Sequence, residues 1–189
     1  ECFNRVVKKQ FGINVTTLYA LDTPNTENVI KIAAFENHTH EWELPKRARW
    51  IGREALDNLP LVGPLIRSVL ETWFAEFTES NTVEPLMPWS KIGWFDEAAT
   101  WMTNQLHRLG ITAHSSVEQV KSFYTGGTLR VNTDVGYIYF KAVPHAFIRE
   151  MEITQMLAQW FPARIPVMLA ADSERRWMLL RDIGGIDLS

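Results

Sequence analysis

A chain of 189 residues, 46% hydrophobic and 22% charged, has the balance of one or two globular domains and excludes intrinsic disorder. A formal charge of −3, with lysine and arginine scattered rather than striped, excludes a generic phosphate-backbone binder, so no nucleic-acid partner is expected. Cys2 is the only cysteine, which rules out an internal disulfide and permits a reducing cytoplasm, the expected location; no apolar run reaches the roughly 20 residues of a membrane span.

Residues 3–11 place Phe3, Val6, Val7 and Gln10 at helical spacing, with Gly12 as a stop. Residues 15–21 and 29–35 read as strands of a hairpin or meander around Thr23-Pro24-Asn25-Thr26. A short connection over 44–50 carries Pro45. A short helix over 53–58 and a longer one over 65–77 follow. Residues 81–88 are polar, proline-bearing and without a period, and predict a linker over 81–89 between domains 1–80 and 90–189. Residues 94–109 form an amphipathic helix with Trp94, Ala98, Trp101, Met102, Gln105 and Leu109 on one side, ended by Gly110. Strands over 117–123 and 128–132 flank Tyr124-Thr125-Gly126-Gly127, and a strand over 137–143 follows the turn Thr133-Asp134-Val135-Gly136. A helix over 145–161 stops at Pro162. Strands over 167–171 and 177–181 are joined by Asp172-Ser173-Glu174-Arg175. The expected class is α+β, and the second half reads strand, strand, strand, helix, strand, strand.

Alternation along 137–143 puts Lys141 on the face of Tyr139 and Val143, with Ile138, Phe140 and Ala142 on the other. On the following helix Glu150 shares a stripe with Ile153 and Leu157. An inward carboxylate is costly unless paired, and Lys141 is the nearest cation with a matching address. A strand lysine held by a helix carboxylate can present its ammonium to nucleotide phosphates. The plain alternative is a solvent-facing lysine and a glutamate on the helix rim. Tyr124 to Gly127 likewise reads either as a phosphate-covering loop or as an ordinary hairpin turn.

The ordered series over about residues 90–189 resembles the amino-terminal lobe of the aminoglycoside phosphotransferase and choline kinase superfamily. The resemblance is carried by Tyr124-Thr125-Gly126-Gly127-Thr128, Tyr139-Phe140-Lys141, Arg149-Glu150 through Leu157-Ala158, Ile165-Pro166-Val167-Met168-Leu169-Ala170 and Trp177-Met178-Leu179-Leu180-Arg181-Asp182-Ile183-Gly184-Gly185. It implies a five-stranded antiparallel sheet with one main helix, ATP as cofactor and an unknown small-molecule hydroxyl as acceptor. On that likeness Lys141 binds phosphates and Glu150 orients it. Glu152 lies on the same helix, but Glu150 has the family's distance to Leu157-Ala158. Thr125, Gly126 and Gly127 close over the phosphates, and the backbone around Arg181 meets the adenine edge. Tyr139 departs from the family pattern, in which the residue two before the lysine is small. The family's catalytic loop, an aspartate beside a histidine with an asparagine following, is opened by none of His38, His40, His107, His114 and His145. Mg²⁺ would then be held mainly by a second lobe. The chain opens on Glu1-Cys2-Phe3 and closes on Ile186-Asp187-Leu188-Ser189, and both ends read as cuts through a longer protein.

The first module has a likeness of its own. Arg5-Val6-Val7-Lys8-Lys9-Gln10-Phe11-Gly12-Ile13 resembles the tail of a Nudix box, and 48–61 resembles the carboxyl-terminal part of such a domain. Val6, Lys9 and Gln10 stand where that family's magnesium-binding glutamates belong, which implies a partial Nudix-like α/β domain without a hard-cation site. His38-Thr39-His40 has no third ligand at a recognisable spacing, so no metal site is expected. The eight tryptophans, Trp73, Trp94, Trp101 and Trp160 among them, are expected in apolar packing. The resulting expectation is the ATP-binding lobe of a small-molecule kinase, incomplete and inactive alone. The alternatives are a regulatory protein with a kinase-like lobe and a Nudix-type hydrolase with an appended domain.

Overall fold

A computed structural model describes residues 3–22, 31–46, 49, 51–60, 64–78 and 87–184. The chain separates into two units, Glu1–His40 with Met87–Ser189, and Glu41–Leu86. No helix among the described residues is long and apolar enough to cross a membrane.

The smaller unit holds a 3₁₀ helix, Arg53–Asn58, and helix α2, Pro64–Thr78. Pro64 opens α2 where its missing N–H has no intrahelical role. Arg67 donates to Asp57 at 2.9 Å, and Leu56 is buried.

The larger unit begins with α1, Phe3–Phe11, stopped at Gly12, whose φ of +72° favours glycine. Strands β1, Val15–Asp22, and β2, Lys31–Asn37, pair antiparallel with a bulge between Thr17 and Tyr19. Helix α3, Trp94–Arg108, precedes β3, Glu118–Phe123; β4, Gly126–Thr133; and β5, Gly136–Ala142. Helix α4, Glu150–Trp160, leads to β6, Met168–Asp172, and β7, Trp177–Arg181. The last five strands form one antiparallel sheet of order β3-β4-β5-β7-β6. The mixed α+β class and the five-stranded antiparallel sheet match the sequence expectation.

Alternation decides which face is core. Leu129, Val131, Ile138, Phe140, Ala142, Trp177 and Leu179 are buried together against Trp94, Ala98, Met102 and Leu106 of α3 and against Trp89. Trp94, Trp101, Phe140 and Trp177 meet edge to face, Phe140 and Trp177 at 5.3 Å between centroids. The α3 stripe therefore runs through Leu106, whereas Leu109, expected on it, is exposed just beyond the helix. On the opposite face Val143, Met151 and Met178 form a smaller cluster with Met168 and Leu180.

The first forty residues group with the sheet, a partition that differs from a division at 81–89; residues 81–86 lie outside the described ones. Gln119 makes the tie. Its Oε1 accepts from the Thr17 N–H at 2.7 Å and from Asn4 Nδ2 at 2.9 Å, while its Nε2 donates to the Thr17 carbonyl at 3.0 Å. One side-chain amide thus acts as a strand partner for β1, beside a bulge in β3. A second tie runs from the Gly93 N–H to Glu36 Oε1 of β2, 2.7 Å away. Gln119→Ala leaves a largely buried peptide unit of Thr17 without these partners. It is expected to destabilise the larger unit by about 2–3 kcal/mol in urea unfolding. A loss below about 0.5 kcal/mol would show that water replaces the amide freely.

Candidate functional site

Lys141 sits one residue from the end of β5, in register with Thr128 of β4 and Met178 of β7. Because Phe140 and Ala142 point into the α3 core, Lys141 projects from the other face, the one α4 covers. Its ammonium forms an ion pair and hydrogen bond with Glu150 Oε1 in the first turn of α4. The two side chains are 34% and 29% exposed, so water reaches the pair and a ligand can do so as well. Both ends of the expected pair are therefore brought together.

The stripe that carries Glu150 is only partly as expected. Met151 is buried and Leu157 half-buried, but Ile153 is 46% exposed. The expected helix over 145–161 is divided: a 3₁₀ turn, His145–Phe147, follows Pro144, and α4 begins at Glu150. This puts Glu150 in the first turn, where the helix dipole favours a carboxylate. Trp160, expected in packing, is 64% exposed. Trp89, Trp94 and Trp177 are buried and Trp101 is half-buried, as expected. The side chain of Trp73 lies outside the described ones.

The glycine pair is not a free loop. The turn consists of Tyr124 and Thr125, both exposed, and Gly126 and Gly127 are buried inside β4. A Cβ on Gly126 would lie 2.9 Å from the Ala142 carbonyl oxygen and 4.0 Å from Lys141 Cε. A Cβ on Gly127 would meet Trp94 at 2.9 Å and Trp89 at 3.0 Å. Gly127 is thus required by aromatic packing, while Gly126 lies over the lysine stem. Gly127→Ala is expected to lower stability by about 1–3 kcal/mol in thermal or urea unfolding, because two buried indoles must shift. Thr125→Ala is expected to stay within about 0.5 kcal/mol.

Arg181 ends β7 in register with Ile138, three residues along β5 from Lys141, or about 10 Å. Its N–H donates to the Val167 carbonyl at 2.9 Å, and the Asp182 N–H donates to Tyr137 at 3.1 Å. Those two backbone donors are engaged within the protein, so any adenine contact there must use other groups. Gly185 lies outside the described residues. Tyr139, between Lys141 and the Arg181 end, is in register with Leu180 and Arg130. Burial opposes the charge on Arg130, but hydrogen bonds and attraction to Glu118 and Tyr139 outweigh it and raise its pKa.

His38 packs on Phe95 with ring centroids 4.9 Å apart. Its Nε2 is 2.9 Å from Thr16 Oγ1 and its Nδ1 3.5 Å from Asp96. These contacts make it part of the joint between β2 and α3. Among the described residues no group of three His, Cys, Asp or Glu is placed to hold a metal ion.

Sequence reasoning missed the polar joint that brings Gln119 to Asn4 and Thr17, 115 and 102 positions away in sequence. It also missed a cavity of about 750 Å³ lined by residues of α1, β1, β3, β4 and β5. No protein-family model, no curated protein and no solved structure matches the chain.

Proposed function

We propose that the five-stranded sheet with α4 is a nucleotide-holding lobe of the small-molecule kinase type, in which Lys141 holds phosphate oxygens and Glu150 fixes the ammonium. The observation that carries the reading is the Lys141–Glu150 pair set in this strand order. The lysine lies on the third of five strands, the carboxylate on the helix between the third and fourth, and the fifth strand is inserted beside the third. This arrangement resembles the ATP-cradling lobe of aminoglycoside phosphotransferases.

The surrounding groups fit a phosphate chain. Gly126 presents no side chain above the Lys141 stem, which keeps that approach open. Glu150 compensates the ammonium without covering it, since both groups remain partly exposed. A bound ATP would supply the transferable phosphoryl group. This chain's own residues contribute a charge aimed at its oxygens and a pair that restricts where that charge sits. Mg²⁺ would come with the nucleotide and be held mainly by a second lobe. None of the five histidines opens a catalytic loop, so residues 1–189 are read as binding nucleotide without transferring phosphate.

ATP titrated into the chain, followed by tryptophan fluorescence and by calorimetry, tests the reading. Saturable binding that Lys141→Ala weakens at least about tenfold is the expected result. Equal binding by both proteins, or none by the wild type at millimolar ATP, would sink it.

A further inference from the structure

From the cavity of about 750 Å³ between α1, the start of β1 and the β3 edge, we infer a second binding site, for a small polyanion carrying phosphate or carboxylate groups. The volume is that of a metabolite-sized pocket. Four cations line it, Arg5 and Lys8 from α1, Lys121 from β3 and Arg130 from β4, against one carboxylate, Glu118. This concentration stands out in a chain whose formal charge is −3.

The cations differ in how committed they are. Arg130 donates through Nε to Glu118 Oε1 at 2.8 Å and lies over the Tyr137 ring, 4.8 Å from its centroid. It is fixed and half neutralised. Arg5, Lys8 and Lys121 form no ion pair among the described residues. Three uncompensated cations around one concavity repel one another, and an anion between them removes that repulsion. The wall is held rigidly: Gln119 locks β1 to β3 and Asn4 to both, so Arg5 and Lys121 flank a fixed joint. The backbone of the wall therefore need not be ordered on binding, and the exposed side chains of Arg5, Lys8 and Lys121 are what a ligand would fix. Asn132, which also lines the cavity, adds a neutral hydrogen-bonding group. The excess of cations over carboxylates in the lining selects an anionic ligand over a neutral one. Lys141, Glu150 and Gly126 do not line this cavity, so the site is separate from the proposed nucleotide-holding lysine.

The test is calorimetric titration of residues 1–189 with pyrophosphate and, separately, citrate at low salt. The two arms distinguish phosphate from carboxylate as the source of the charge. At least one is expected to bind, more weakly as salt rises. Arg5→Gln and Lys121→Gln are each expected to weaken binding about tenfold. Arg5→Lys, which keeps the charge, is expected to retain most of the affinity. Glu118→Gln, which releases Arg130 toward the cavity, is expected to tighten binding severalfold, a gain that damage to the fold cannot produce. Lys141→Ala is expected to leave the binding that depends on Arg5 and Lys121 in place, and to remove only a separate pyrophosphate event at Lys141 itself. Binding of neither anion, binding unaffected by the Arg5 and Lys121 substitutions, or binding lost in Lys141→Ala would overturn the site. The last outcome would assign the anion to Lys141 and leave the proposed function standing.

Discussion

Phe140→Ala is expected to lower the stability of the larger unit by about 3–5 kcal/mol. Phe140 is fully buried and lies on β5, the middle strand of the sheet. Its ring meets Trp177 at 5.3 Å, Trp101 at 5.8 Å and Trp94 at 5.9 Å, each edge to face. These contacts add to the transfer free energy of the ring itself. The void would be hard to close. β4 and β7 are hydrogen-bonded on either side, and the facing tryptophans are large rings with few rotamers. Urea unfolding followed by near-ultraviolet circular dichroism reads the loss directly, since it reports aromatic packing. Tyr137→Ala, three residues earlier on the same strand and 41% exposed, is the control and is expected to cost under about 1 kcal/mol. Similar losses at the two positions would show that the face assignment is wrong.

Which parts of this architecture were legible in the sequence follows from the range of the interactions that fix them. The β7 bounds are those expected from pattern alone, because 177–181 is a short apolar run closed by turn residues. The assignment of Phe140 to the core and Lys141 to the opposite face follows from period-two alternation, which is local. Boundaries set by caps or tertiary contacts were less legible. β4 begins at Gly126 rather than at residue 128, because two glycines let the strand approach Ala142, Trp89 and Trp94. A glycine pair after a tyrosine and a threonine carries the same local signal whether it forms a turn or a tight strand. The α3 stripe was misjudged at its end because Leu106 and Leu109 are both apolar, and the helix stops at Arg108 before Leu109 can face the core.

The least legible feature is the union of the first forty residues with the sheet. It rests on the amide of Gln119 reaching Thr17, a contact across 102 positions with no periodicity to announce it. Glutamine in a strand ordinarily reads as a solvated position. Here a bulge in β3 and another in β1 adjoin the residues that meet, and bulges leave no dependable trace in composition. The candidate site divides in the same way. Lys141 and Glu150 were legible because each lies on a regular element with a definite face. The cavity was not, because its cations come from α1, β3 and β4 and no segment of sequence gathers them.

Reversing the Lys141–Glu150 pair is expected to separate its part in binding from its part in folding. A pair about one-third exposed contributes about 0–1 kcal/mol to stability, so Lys141→Ala should fold and unfold much as the wild type does. A charged hydrogen bond to a phosphate oxygen contributes about 1.5–3 kcal/mol, so the same substitution should weaken ATP about tenfold to a hundredfold. Glu150→Gln keeps the ammonium but loosens its position, and its effect on affinity should be smaller than that of Lys141→Ala. The decisive variant is the exchange Lys141→Glu with Glu150→Lys. It restores an ion pair of the same charges between the same two elements, so stability should return close to the wild-type value. It also places a carboxylate at the strand position beneath Gly126, where a phosphate would approach, so ATP binding should remain lost. Unfolding free energy and ATP affinity, measured on the four proteins under one buffer, give both quantities. Recovery of ATP binding in the exchanged protein would mean that either arrangement of the two charges suffices. In that case Lys141 would be a structural partner of Glu150 and not a phosphate ligand.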